Sequence, residues 1–491
     1  MSAGAVSVLF GSLSGLTATD NQLWEQDDLV GSDGTEPYDS FGSPLAAGDF
    51  NGDGAVDLAV GVPREDIGSA DSGGAVHVIY GVHGQGLAAP GNQLWHQGSP
   101  GIQGALEPFD RFGESVCTGD FNGDGFDDLA VGAPFENIGT SAANQGAINI
   151  LYGGITGLSA TGNQLFYEGY GGLSGIPEQD DYFGASLVSG DFDGDGYDDL
   201  GFSIPWKDIG PIANAGEVRT IYGSPVGLVG STEQRWIQGF DGLQNSAEDS
   251  DHFGTDLASG DFDGDGRDDL AIGASQEDSG AIANVGVVQI VYGSSAGLTS
   301  SGNHIWWNPD GAVDADFYGS ALTTGDFNLD GYDELAIGIF EDDVGSELAA
   351  GTVEILYGSP VGLSRRPGFD DLWHQDRSGI EGAAEPGDRF GFTLAAGDFD
   401  GDGFTDLVVG VPFEDIDAEA DAGAVNVLYG SEDGISVTGN HILYQGYFGL
   451  QGSPDGNDQF GHALAAIPPS PLLFRDSFEG GDTGRWSDTS P

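Results

Sequence analysis

Basic side chains are almost missing from this chain. Its 491 residues include 12 Lys and Arg against 80 Asp and Glu, a formal net charge of −68, and Lys207 is the only lysine. Such a surface repels a nucleic-acid backbone or an anionic membrane, so neither is an expected partner. Cysteine is scarcer still. Cys117 stands alone, which excludes an intrachain disulfide and the cysteine framework that often marks secreted domains. No apolar run is long enough to span a bilayer, so direct membrane insertion is not expected, and no long stretch has helical periodicity. Glycine is abundant instead, with 87 residues beside 38% apolar ones. That composition describes a turn-rich chain with a core, neither collagen-like nor disordered.

The chain is organised around the stretch Asp191-Phe-Asp-Gly-Asp-Gly-Tyr-Asp-Asp199, a pattern written six times. Positions 1, 3, 5 and 9 supply side-chain oxygens, position 6 is a turn-permitting glycine, and position 7 would offer its backbone carbonyl. The five residues in each copy are Asp49, Asn51, Asp53, Ala55 and Asp57; Asp120, Asn122, Asp124, Phe126 and Asp128; and Asp191, Asp193, Asp195, Tyr197 and Asp199. The later copies are Asp261, Asp263, Asp265, Arg267 and Asp269; Asp326, Asn328, Asp330, Tyr332 and Glu334; and Asp398, Asp400, Asp402, Phe404 and Asp406. All-oxygen ligation by several acids, with no His or Cys nearby, selects calcium over zinc or copper. About six calcium ions are therefore expected, in a structural role, since every ligand is local and no base or nucleophile recurs beside it. An EF-hand would need a bidentate Glu at position 12, where this chain has Val60, Val131, Phe202, Ile272, Ile337 and Val409. Six divalent ions offset only a minor share of the acidity. The remainder suits a high-salt or marine setting, or a strongly repulsive soluble surface.

Four strand-length segment types repeat around these loops. The first opens on Phe-Gly or Tyr-Gly at Phe41, Phe112, Phe183, Phe253, Tyr318, Phe390 and Phe460, with 65 to 72 residues between copies. The second follows the loop, as in Asp128-Leu-Ala-Val-Gly-Ala-Pro134. The third starts at Gly4, Gly74, Gly146, Gly216, Gly286, Gly351 and Gly423. The fourth is an aromatic run near Trp24, Trp95, Phe166, Trp236, Trp306, Trp373 and Leu443. Four strands per roughly 70 residues, repeated about seven times, predict an all-β, seven-bladed β-propeller of four-stranded antiparallel blades. The repeat is too long for a β-helix coil, and no Pro/Ser-rich linker separates the copies. The count gives 27 strands, because the chain opens on a third and fourth strand and closes on a first strand over Phe460–Ile467. One blade is thus shared between the termini, and its second strand and cation loop lack a counterpart. Together with the absence of a signal peptide after Met1, this leads to the expectation that the natural product extends further N-terminally. The alternative is that Leu472-Leu-Phe474 fills the gap, against which Pro468, Pro469 and Pro471 argue.

Asp also precedes each Phe/Tyr-Gly by two residues (Asp39, Asp110, Asp181, Asp251, Asp316, Asp388, Asp458), often with Glu three residues earlier (Glu36, Glu107, Glu178, Glu248, Glu385). These belong to the end opposite the cation loops. They make either an acidic ring for a cationic ligand or second metal, or an Asx-type turn holding the first strand; recurrence in every blade favours the turn. The fourth-strand tryptophans could stack on sugars, but packing between blades is the simpler expectation. His96 and His374 occupy equivalent strand positions, and no catalytic triad, metallohydrolase cluster or phosphate loop is found.

Phe-Gly, Gly-Asp-Phe-Asn-Gly-Asp-Gly, Asp-Leu-Ala-Val-Gly-Ala-Pro and Val-x-Ile-Tyr-Gly together resemble the FG-GAP repeat family, including the integrin α-subunit propeller and bacterial FG-GAP proteins. The resemblance covers residues 1 to about 467; Ala274-Ser275 and Ile339-Phe340 depart from its Gly-Ala-Pro ending. It implies seven blades with calcium between strands one and two, and extracellular adhesion or recognition on the opposite face. The expected domains are the propeller, 1–467, and a tail, 468–491, that is flexible or related to export. The tail's Phe474-to-Ser487 stretch resembles short C-terminal segments of secreted bacterial proteins. The expected function is a secreted or cell-surface, calcium-stabilised binding and adhesion module for an extracellular protein or glycan. A calcium-dependent lectin is the alternative, and a secreted hydrolase or lyase a more distant one. No catalytic residues are expected.

Overall fold

In the computed structural model the chain is described over residues 4–31, 34, 36, 38–139, 143–309, 315–366 and 372–466. Met1 and the expected tail lie outside these residues. Each repeat folds as anticipated into a sheet whose strands follow one another in chain order. Blade 1 consists of Leu45–Gly48, Asp57–Val62, Ala75–Val82 and Gly86–Trp95. Blades 2 to 6 repeat the meander over 115–166, 187–236, 257–306, 321–373 and 393–443. The second strand is buried at every position in every blade, as in Asp57–Val62 and Asp406–Val411. That is why it reads as an unbroken apolar run: both of its faces meet a neighbouring sheet. Fourth strands such as Ser159–Phe166 keep exposed positions, because they form the outer edge.

The core is a series of joints between blades. Val76 and Val78 of blade 1 pack with Leu129 and Val131 of blade 2, and Val353 and Ile355 of blade 5 pack with Leu407 and Val409 of blade 6. At each joint the glycine opening a third strand presses on the Phe or Tyr backbone that opens the next repeat. A Cβ on Gly74 (φ +79°) would lie 2.4 Å from the Phe112 amide nitrogen, so only glycine permits this approach.

Val6–Phe10 and Thr17–Trp24 form a two-stranded sheet between blades 6 and 1. On one side Val6 and Val8 pack with Leu58, Val60 and Val62; on the other, Leu9 and Leu16 pack against the cluster of Val425, Val427 and Tyr429. The Leu16 amide donates to the Tyr429 hydroxyl (3.1 Å), as Leu158 does to Tyr80 (3.1 Å) and Leu298 to Tyr222 (2.9 Å). The ring therefore closes with the same clasp that joins its interior blades.

The structure corrects the strand count. It shows six four-stranded sheets and the two-stranded one, 26 strands among the described residues. Residues 460–466 form no strand, and Ile467 lies outside the described residues. A first strand bonds only to its second strand, and no second strand for Phe460 occurs among the described residues. The segment is nonetheless placed like a first strand: the Phe460 amide donates to Ala422 O (2.9 Å), as Phe112 does to Gly73 O (3.1 Å). Between this segment and Val6–Phe10 lies a cavity of about 1730 Å³, lined in part by Leu58, Phe399, Val408 and Leu464.

Candidate metal centres and the opposite end

Each cation loop closes a hairpin between first and second strands, with Gly190 paired to Asp199 and Gly48 to Asp57. The loop backbone is wound around its first acid. Asp191 Oδ1 accepts the amides of Gly194 (2.8 Å) and Asp195 (3.0 Å), and Oδ2 accepts Gly196 (2.9 Å), with Gly196 at φ +89°. Asp195 Oδ1 accepts the Tyr197 amide (3.1 Å). Asp199 is held at the strand end by Phe192 N–H (2.9 Å) and Gly223 N–H (2.8 Å). These bonds converge the acids rather than separate them. Ligand oxygens of Asp191, Asp193 and Asp199 lie within 4.8 Å of one another, as do those of Asp261, Asp263 and Asp265, and of Asp398, Asp400 and Asp406.

Such clusters are electrostatically incomplete alone. Burial, with added repulsion from Asp193 and Asp191, pushes the Asp199 carboxyl up to about 8; Asp128 and Asp269 rise to about 8 and Asp57 and Asp406 to about 7 for the same two reasons. At position 3 the Oδ1 atoms of Asn122, Asp263 and Asn328 are buried without a hydrogen-bond partner. Orphaned oxygens beside crowded carboxylates fit a hard cation. Asp49, Asn51, Asp53, Asp326, Asp330, Glu334, Asp120, Asp124, Asp265 and Asp402 occupy the corresponding loop positions in the same fold.

Two features of the loops escaped the sequence reading. The acid at position 8 crosses to the preceding blade: Asp127 accepts the Asp49 amide (2.6 Å), Asp198 that of Asp120 (2.7 Å), Asp268 that of Asp191 (2.9 Å) and Asp333 that of Asp261 (3.0 Å). The position-7 side chain is not free either, since Phe126, Tyr197, Arg267 and Tyr332 lie over Gly52, Gly123, Gly194 and Gly264 of the preceding loop. The pattern is not uniform: the first loop carries Ala55-Val56 where the next carries Phe126-Asp127, and the last carries Thr405 at position 8.

At the opposite end, the recurrent Asp behaves as a turn residue. Asp39 and Asp110 accept the amides of Glu36 and Glu107 (both 2.6 Å), and Asp388 that of Glu385 (2.6 Å). Aromatic side chains surround these turns. Phe135, Tyr182, Trp206 and His252 follow one another with ring centroids 4.9 Å apart at each step. Phe317, Phe340, Phe392 and Phe413 form a second arc at 5.5 to 5.8 Å. Arg111 lies over Phe135 (4.0 Å) and Arg389 over Phe413 (4.8 Å). The fourth-strand Trp24, Trp236 and Trp373 are buried, which leaves them no open face for stacking a sugar.

Blades with this hairpin loop, Phe-Gly opening and interlocked third strand define a β-propeller of FG-GAP type. A family profile described as FG-GAP repeat matches residues 41–79, 112–151, 183–218, 253–291 and 390–428, on blades 1 to 4 and blade 6. These five segments are FG-GAP repeats, and the chain resembles integrin α subunits in this region. It is 34% identical to Integrin alpha-PS2 of Drosophila melanogaster over 239 residues, 47% of this chain and 15% of that protein. It is similar to Phosphatidylinositol-glycan-specific phospholipase D of Mus musculus (34% over 224 residues, 45% of this chain, 25% of that protein). Integrin alpha-5 of Xenopus laevis is 31% identical over 201 residues, 40% of this chain and 17% of that protein. The chain thus spans a quarter or less of the length of these relatives.

Proposed function

We propose that this propeller is a non-catalytic extracellular adhesion module, with calcium in its six hairpin loops and a protein ligand engaged at the opposite end. The observation that carries the reading is the pair of aromatic arcs, from Phe135 to His252 and from Phe317 to Phe413, at the end away from the loops. Clustered aromatics beside arginines are the side chains that most often dominate protein interfaces. The integrin α relatives support a secreted or cell-surface setting. No helix among the described residues is long and apolar enough to cross a membrane. Calcium is supported by the converging carboxylates and orphaned position-3 oxygens. In this reading residues 1–467 form one propeller domain of seven blades. The sheet of Val6–Phe10 and Thr17–Trp24, with residues 460–466, makes up the seventh, and residues 468–491 are a separate tail.

The test is a binding assay against extracellular proteins and glycans, with and without chelator, comparing the wild type with Trp206→Ala and Phe340→Ala. The expected result is a protein ligand, calcium-dependent retention and loss of binding in both variants. Retention of binding by both variants would remove the aromatic end from the proposal, and capture of glycans alone would favour a lectin.

A further inference from the structure

Buried carboxylates gather a second time, at the joints between blades on the end opposite the hairpin loops. At the joint of blades 1 and 2, Gln97 follows the last strand of one blade, and Glu136 follows the second strand of the next. Gln97 Nε2 donates to Glu136 Oε2 at 2.5 Å. Asp110 completes the group; it is 0% exposed, and its Oδ2 accepts the Glu107 amide. Two oxygens there have no partner, Asp110 Oδ1 and the Oε1 of Gln97, a residue 3% exposed. The same bond recurs from Gln238 to Glu277 (2.9 Å) and from Gln375 to Glu414 (2.7 Å), and in each case the glutamine Oε1 is again buried without a partner.

The joint of blades 2 and 3 shows what this geometry is built to hold. Counting 71 residues on from Gln97, Glu107, Asp110 and Glu136 gives Glu168, Glu178, Asp181 and Lys207. Here a cation is part of the chain: Lys207 Nζ bonds Glu168 (3.0 Å), Glu178 (2.8 Å) and Asp181 (3.0 Å). Arg219 adds a second positive charge on Glu168. The only lysine in the sequence therefore stands where the joints with Glu136, Glu277 and Glu414 have glutamate, and where the joint of blades 4 and 5 has Asp342. Each of those three glutamate joints keeps the acids and gains an orphaned amide oxygen, but has no positive side chain in the group. Buried carboxylates that crowd together are paired, coordinated or protonated.

We propose that Gln97, Glu107, Asp110 and Glu136, brought together at the joint of blades 1 and 2, bind a hard divalent cation, and that the Gln238–Glu277 and Gln375–Glu414 joints do the same. The donors are all oxygen, as calcium or manganese requires. Each ion links two blades, whereas an ion in a hairpin loop is held within one.

Two measurements decide it. In the first, bound calcium is counted by equilibrium dialysis on the full chain, for the wild type and for Gln97→Glu/Glu136→Lys, which copies the lysine joint. The expected result is one ion fewer per chain in a folded variant; an unchanged count overturns the proposal for this joint. The second needs no variant: an anomalous-difference map of wild-type crystals soaked in manganese chloride. A peak flanked by Gln97, Asp110 and Glu136 supports the site. Peaks confined to the hairpin loops overturn it, and the acids are then proton-sharing carboxyl pairs.

Discussion

The two ends of this propeller gather acids in opposite ways. In a hairpin loop, nine consecutive residues such as Asp191 to Asp199 carry every proposed ligand, and the loop's own amides hold the first acid in place. At the joints, the bonded partners are 39 residues apart, as in Gln97 and Glu136, and come from different blades. A hairpin loop can therefore form as soon as its two strands pair. A joint cluster exists only once blades have stacked. Neutralising charge in the loops would steady each blade, whereas at the joints it would steady the ring.

The sharpest break between the two ends is removal of the calcium proposed for the loops. Loop sites of the weak extracellular type, with Kd of ~10⁻⁴–10⁻³ M, would each contribute about 0.4–1.4 kcal/mol at ~1 mM calcium, so six contribute roughly 2–8 kcal/mol. For a domain of this size that is a fall in Tm of about 2–8 °C on adding chelator, read by calorimetry. An unchanged melt would refute a structural role for calcium. At the joints the matching experiment is Lys207→Met, which leaves Glu168 and Asp181, with side chains only 2% and 3% exposed, facing one another without their ammonium. Removing one member of a buried ionic group costs roughly 3–5 kcal/mol. Urea unfolding of the calcium-loaded variant measures this, and a loss below about 1 kcal/mol would show that Lys207 is incidental to the joint.

A gentler comparison uses pH. Asp128, Asp199 and Asp269 in the loops rise to about 8, and at the joints Asp110 and Asp388 also rise to about 8, in each case chiefly through burial. A carboxyl whose folded value lies above its unfolded one favours folding fully below the unfolded value near 3.8, and that contribution is lost as pH rises through 8. Chelated protein should therefore melt higher at pH 5 than at pH 8. Added calcium should shrink the difference by offsetting the charges that proton binding otherwise relieves. A melt in chelator that climbs steadily from pH 5 to pH 8 would contradict burial and mutual repulsion as the origin of these shifts.

How far each end was legible in the sequence follows from the same contrast. Contiguous ligands at fixed spacing, ending in an apolar position 12, disclosed the hairpin loops and the strand pair each one closes. The fully buried second strand showed itself as an apolar run. The joints left no such mark, because Gln97, Asp110 and Glu136 come together only through packing of successive blades. The recurrent Asp before Phe-Gly was visible, but its turn bond to the Glu amide is all that its spacing could suggest. Phe460–Ala466 failed in the other direction. Its sequence is that of a first strand, yet a ladder needs a partner, and local pattern carries no information about whether the partner is there.

The smallest effect concerns closure of the ring. Tyr429 receives the Leu16 amide across the meeting of the last blade and the first sheet, and Tyr222 receives the Leu298 amide between interior blades. Tyr→Phe at either position leaves an amide short of its hydroxyl acceptor, a loss of about 1 kcal/mol, and at Tyr222 it also removes the hydroxyl's own bond to Gln234 Oε1. If the two-stranded sheet docks as firmly as a complete blade, Tyr429→Phe should cost about 1 kcal/mol in urea unfolding and Tyr222→Phe about twice that. A much smaller loss for Tyr429→Phe, with amide exchange at Leu16 fast in the wild type, would show that the ring opens at this seam while the interior joints stay shut. The cavity beside Val6–Phe10 gives the physical reason to look there, because this sheet packs on both neighbours with only two of the four strands that every other blade uses.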